Sequence, residues 1–125
     1  MLTSRAFWEG IGGLAYAFVT ADGIIAKEEL STFANALEEY FQKIPTNFPQ
    51  RARSMFELFV HLNYEPEKAY QESIQKLSQV KGEVRHYRFD ILDTFREVIR
   101  SDGKVHPYEE TFLTQLDRDL ARIAE

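Results

Sequence analysis

Two segments of this chain carry the same pattern 80 positions apart, and that repetition narrows what the chain can fold into. The first reads Ala21-Asp22-Gly23-Ile24-Ile25-Ala26-Lys27-Glu28-Glu29 and the second Ser101-Asp102-Gly103-Lys104-Val105-His106-Pro107-Tyr108-Glu109. Both obey Asp-Gly-x-(Ile/Val)-x-x-x-Glu. One Asp-Gly is ordinary turn chemistry, whereas two copies inside the same apolar rhythm predict two similar helix-loop-helix units. The likeness reaches beyond the loops, since an offset of 80 superimposes Phe7, Ile11, Ala15, Phe18 and Val19 on Tyr87, Ile91, Phe95, Val98 and Ile99.

Helical spacing of apolar residues runs through the chain. A first helix, capped by Thr3 or Ser4, is predicted to about residue 20, with Phe7, Ile11, Leu14, Ala15, Phe18 and Val19 as its stripe. A second is predicted from about 27 to 41, carrying Leu30, Phe33, Ala34, Leu37, Tyr40 and Phe41. Pro45, Asn47 and Pro49 break the pattern, and Pro49 suits the first position of a third helix reaching Leu62, with Met55, Phe56, Phe59 and Leu62 inward. Asn63 and Tyr64 make a short connection. Pro66 opens a fourth helix with Ala69, Tyr70, Ile74 and Leu77 inward, which Gly82 should end or bend. A fifth follows over 83–100, and Pro107 starts a last one with Phe112, Leu113, Leu116, Leu120 and Ile123. No window alternates as a strand does, so the expected fold is all-α: one domain over 1–125, a compact bundle of about six to seven helices containing two pseudo-symmetric hairpins.

With 44% hydrophobic residues, ten of them Phe, the chain can build a core without disulfides or metal. Having no Cys, it offers no thiolate ligand or cysteine nucleophile. Its net charge of −5 disfavours nucleic acid and anionic membranes, which demand clustered Lys and Arg, and suits a divalent cation or a basic partner instead. The apolar run at 11–19 resembles part of a signal peptide, but Trp8 and Glu9 interrupt that pattern and the run falls short of the ~18 apolar residues of a spanning helix. A retained helix, no transmembrane segment and a cytoplasmic location are expected.

The repeated loop admits two readings. Structurally, Gly23 and Gly103 supply the backbone freedom of a helix end, Ile25 and Val105 plug the gap between helices, and Glu29 and Glu109 fall at the third helical position. There a carboxylate interacts with free N–H groups and the helix dipole, for about 0.3–1 kcal/mol. Chemically, the glycine, the apolar residue two positions later and the glutamate six later match the second half of an EF-hand calcium loop. The slots for its first two oxygen ligands hold Phe18 and Thr20, or Val98 and Arg100, which excludes a complete calcium loop. Two half-loops brought side by side could instead pool Asp22, Glu29, Asp102 and Glu109 around one divalent cation, calcium, magnesium, manganese or zinc, with Glu28 and Glu110 adding to the field.

These residues resemble the TerB-like family, which includes tellurite-resistance TerB proteins and a region of DnaJ-like co-chaperones. The resemblance spans Phe7 to Ile123 and rests on Ala21-Asp22-Gly23-x-Ile25 with Glu29 and on Ser101-Asp102-Gly103-x-Val105 with Glu109. It implies a helical bundle in a bacterial cytoplasmic stress-response or chaperone-associated setting, without catalysis of its own. It also implies an acidic metal site at Asp22, Glu29, Asp102 and Glu109. The second copy departs from the pattern at His106-Pro107-Tyr108, where acidic or small polar residues are more typical, and it lacks the His-Pro-Asp of a J-domain. The alternative implied by the same setting is a metal-free interaction module with a protein partner of unknown identity.

Other constellations are weaker. Glu83 and His86 have the Glu-x-x-His spacing of di-iron bundles, but no second copy exists. Glu57 and His61 share a face without completing a zinc-protease motif, so surface pairing is expected for both. Lys76, Lys81, Arg85, His86 and Arg88 form a basic cluster around Gly82, read as a solvated face. Gly12-Gly13 reads as a close helix contact, and Trp8, Tyr16 and Tyr40 as core. A hydrolase using paired carboxylates would require a pocket.

Overall fold

Ser4 starts the first helix as its spacing predicts: its backbone is extended and its Oγ accepts from the Phe7 N–H at 3.4 Å. The computed structural model describes residues 3–20, 48–100 and 107–125, and within them it contains five helices and no strand. They are α1 (Arg5–Val19), α2 (Phe48–Leu62), α3 (Pro66–Ser78), α4 (Lys81–Arg100) and α5 (Pro107–Ala124). The helix expected at 27–41, with Tyr40, and most of the breaker before Pro49 lie outside the described residues.

α1 is the central element. Every residue from Ile11 to Phe18 is buried, more than the single stripe its spacing predicts. The extra burial follows from the glycines. A Cβ on Gly12 would fall within 2.9 Å of the Ala52 Cα and closer still to its carbonyl oxygen, and one on Gly13 would lie 3.2 Å from Phe59 and overlap the Ser73 hydroxyl. Small residues on this face thus let α2 and α3 pack directly on the α1 backbone, as the Gly-Gly reading anticipated. The opposite face carries the bulk: Phe7, Ile11, Leu14 and Phe18 are at most 2% exposed, and Trp8, one turn before Gly12, is fully buried as well. Trp8 keeps its polar atom satisfied by donating from Nε1 to Thr3 Oγ1 at 2.8 Å.

Pro66 occupies the first position of α3 behind Glu65, and Ala69, Tyr70 and Leu77 are buried as their spacing predicts. Two expectations need correction. Helical spacing places Leu62 inward, but it is 55% exposed. Asn63 takes a left-handed φ of 50° just beyond it, and Tyr64 folds back to stack on Phe59, ring centroids 4.6 Å apart. Intrinsic propensity predicts that Gly82 ends or bends the helix opened by Pro66, yet α3 stops at Ser78 and Gly82 is the second residue of α4. The Val80 carbonyl accepts from the N–H groups of both Glu83 and Val84 at 3.1 Å, so the helix restarts on Val80 instead of breaking at the glycine.

Tyr70 gives this core a pH dependence. It is 4% exposed and donates its hydroxyl to Asp119 Oδ2 at 2.5 Å. Burial, then the hydrogen bond to that carboxylate, pushes the phenol pKa above its ordinary value of about 10. Because the folded value is raised, the contribution to stability is complete below about pH 10 and is lost as pH rises beyond it. Urea unfolding followed from pH 8 to pH 11 is therefore expected to show stability declining above pH 10, with a shallower decline in Tyr70→Phe. Equal slopes in the two proteins would contradict the assignment.

Candidate functional site

The two helices that precede the repeated loops, α1 and α4, run side by side in the same direction. Near their starts, the Ser4 N–H donates to Glu83 Oε1, the Ser4 hydroxyl donates to Glu83 Oε2 at 3.0 Å, and the rings of Phe7 and Tyr87 lie 5.8 Å apart. Near their ends, Phe18 meets Phe95 at 5.9 Å. α5 returns antiparallel to α4: Arg88 pairs with Asp117 at 3.4 Å, and Arg85 Nε donates to the Ala124 carbonyl at 2.9 Å. Phe112, early in α5, touches both Phe18 at 5.0 Å and Phe95 at 5.6 Å. Hence α1 and α4 finish, and α5 begins, at one end of the bundle.

The contact of Phe7 with Tyr87 joins positions 80 apart, as the sequence repeat does, whereas that of Phe18 with Phe95 joins positions 77 apart. Phe7, Ile11, Ala15 and Phe18 are buried, and so are their described counterparts Tyr87, Ile91 and Phe95. Phe18, Phe95 and Phe112 form an aromatic layer under this end. Thr20 closes α1 above it, receiving no freedom to swing: its N–H donates to the Tyr16 carbonyl at 3.0 Å and its hydroxyl to the same oxygen at 2.5 Å.

Glu109 is the one predicted ligand among the described residues, and it is 4% exposed. Pro107 opens α5, so Glu109 is its third residue, at the position expected from the cap geometry. It precedes Phe112 by three positions, so the two are neighbours on successive turns of α5. A carboxylate removed from water must be partnered, and Glu109 is. Its neighbour Glu110 is exposed. Asp22, Glu28, Glu29 and Asp102 lie outside the described residues. Among the described residues no three His, Asp or Glu side chains are grouped as metal ligands.

The weaker constellations resolve into structure. Glu83 is engaged by Ser4, which ties the start of α4 to the start of α1 across 79 positions. No local signal announces such a contact. His86 packs edge-on against Tyr87 at 4.6 Å, and Glu57 pairs with Arg53 at 3.3 Å. The basic cluster is dispersed, with Lys76 3.8 Å from Glu9 and Arg88 on Asp117. Spacing also overlooked a cavity between α1, α3 and α5, whose walls are assembled from three separate parts of the chain.

The family model for the tellurite resistance protein TerB matches residues 11–121, nearly the whole chain and both copies of the repeated segment. No curated protein and no solved structure matches it.

Proposed function

Because the chain belongs to the tellurite-resistance TerB family, we propose that it is a non-catalytic stress-response domain that binds a divalent cation through Asp22, Glu29, Asp102 and Glu109. The observation that carries this reading is the burial of Glu109 at the end of the bundle where α1 and α4 both finish. In sequence Asp22 stands two positions beyond Thr20, and Asp102 two beyond Arg100, the last described residues of the two segments. Four carboxylates drawn together repel one another, and a cation relieves that repulsion. An all-oxygen donor set suits a hard ion such as calcium, magnesium or manganese, and carboxylates also take zinc. No described helix is long and apolar enough to cross a membrane. The proposal places the domain in the cytoplasm.

Titration calorimetry of chelator-treated protein with each of the four ions tests the site. Saturable heat is expected with at least one of them, lost in Asp22→Asn and in Asp102→Asn and weakened at least tenfold in Glu109→Gln. Binding heats identical in wild type and Asp102→Asn would remove the shared site and return each glutamate to helix capping.

A second reading, a metal-free interaction module of a chaperone or membrane-associated complex, is favoured by Leu58 and Leu62. They stand one turn apart on α2 and are 48% and 55% exposed. On this reading, association with a partner persists in chelator and is lost when Leu58→Ser and Leu62→Ser are combined, with the melting temperature unchanged.

A further inference from the structure

A cavity of about 380 Å³ opens between α1, α3 and α5, near the lower limit of small-ligand sites. Its apolar walls are Ala17, Pro66, Tyr70 and Phe112, and Glu65 and Glu67 stand at its margin. The rings of Tyr70 and Phe112 meet at 77° with centroids 5.7 Å apart, so they form two adjoining walls of a corner. That corner is rigid, because Tyr70 is held at its hydroxyl by Asp119 and Phe112 is packed against Phe18 and Phe95.

The charged side chains that line the cavity are both carboxylates, while Arg118, outside the lining, places a positive charge near Tyr70. No Lys, Arg or His lines it, and among the described residues neither Glu65 nor Glu67 forms an ion pair. Glu67 only accepts from Gln71 Nε2 at 3.2 Å. The start of α3 contributes a partial positive charge of about half a unit, which two carboxylates at its N-cap and second position outweigh. Aromatic faces at right angles attract a cation through their quadrupoles, and carboxylates beside them supply the counter-charge. An anion would meet two negative groups there, and a neutral apolar ligand would leave them unused.

We propose that this cavity binds an alkylammonium group, with the cation against Tyr70 and Phe112 and its charge answered by Glu65 and Glu67. The group can come from a free aliphatic amine or from a lysine side chain of a basic peptide. The site is distinct from the carboxylates assigned to the metal, so the two are tested independently.

The test is a heteronuclear NMR titration of the full chain in EDTA, with butylammonium chloride against butanol at matched ionic strength. Saturable shifts at Ala17, Tyr70 and Phe112 are expected with the ammonium and not with the alcohol. Combining Glu65→Gln with Glu67→Gln, both exposed positions that leave the core intact, is expected to weaken binding at least tenfold. A short lysine peptide binding more tightly than butylammonium identifies a protein source, and the reverse order identifies a free amine. Equal shifts from alcohol and ammonium, or undiminished binding in the double variant, would overturn the proposal. Because EDTA is present, either result leaves the ion titration to be judged separately.

Discussion

Phe18→Ala is expected to lower the free energy of unfolding by about 3–5 kcal/mol, the usual cost of emptying a buried phenylalanine site. Phe18 is 2% exposed and contacts Phe95 on α4 and Phe112 on α5, so the vacated space is walled by rings from two other helices. These rings are fixed in turn, Phe112 against Tyr70 and Phe95, which limits how far the layer can collapse into the void. Chemical denaturation of wild type and variant measures the loss directly. The same layer underlies the end of the bundle where Glu109 is buried, so ion binding is expected to weaken with stability. A destabilisation below about 1 kcal/mol, the level of an ordinary substitution, would mean that the α1 and α4 termini are not joined as described.

Gly12→Ala is expected to destabilise by about 2 kcal/mol or more, although alanine is intrinsically the better helix former by about 1 kcal/mol. The added methyl would press on the backbone of Ala52, which moves only if α2 is displaced as a unit. Gly10→Ala supplies the comparison. There the new methyl would lie 2.8 Å from Leu77 Cγ and 3.3 Å from the Ser73 carbonyl oxygen, so it presses mainly on a side chain and less closely on backbone, and its cost should be smaller. At this chain length each kcal/mol corresponds to roughly 4 °C, and a fall of roughly 8 °C in Tm is expected for Gly12→Ala. A variant as stable as wild type, or an inverted order between the two glycines, would refute direct packing of α2 on the α1 backbone.

Both effects concern contacts whose participants are readable in sequence but whose pairing is not. Gly12-Gly13 announced a close approach, yet nothing local named Ala52 and Ser73 as the groups approached. The cap at Ser4, the start of α3 at Pro66 and the buried stripe of α5 were legible because capping and helical periodicity are set by residues within a few positions of one another. Leu62 and Gly82 differ from expectation because backbone geometry at neighbouring residues intervenes. Helical period marks Leu62 as inward, and intrinsic propensity marks Gly82 as a breaker. The left-handed Asn63 turns the chain just past Leu62, and the Val80 carbonyl takes the N–H groups of Glu83 and Val84, so the helix starts ahead of the glycine.

Of the candidate site, the pattern Asp-Gly-x-(Ile/Val)-x-x-x-Glu and its repetition after 80 residues were complete in the sequence, and with them the membership of a helical family. Repetition is a property of order along the chain and needs no third dimension. That α1 and α4 point the same way, so that the residues before both acidic bends and the buried Glu109 share one end of the bundle, was decided only by tertiary packing. The direction of one helix against another depends on which bulky side chains interlock. Phe18, Phe95 and Phe112 reach that arrangement from positions far apart in the chain, beyond the range of any local rule.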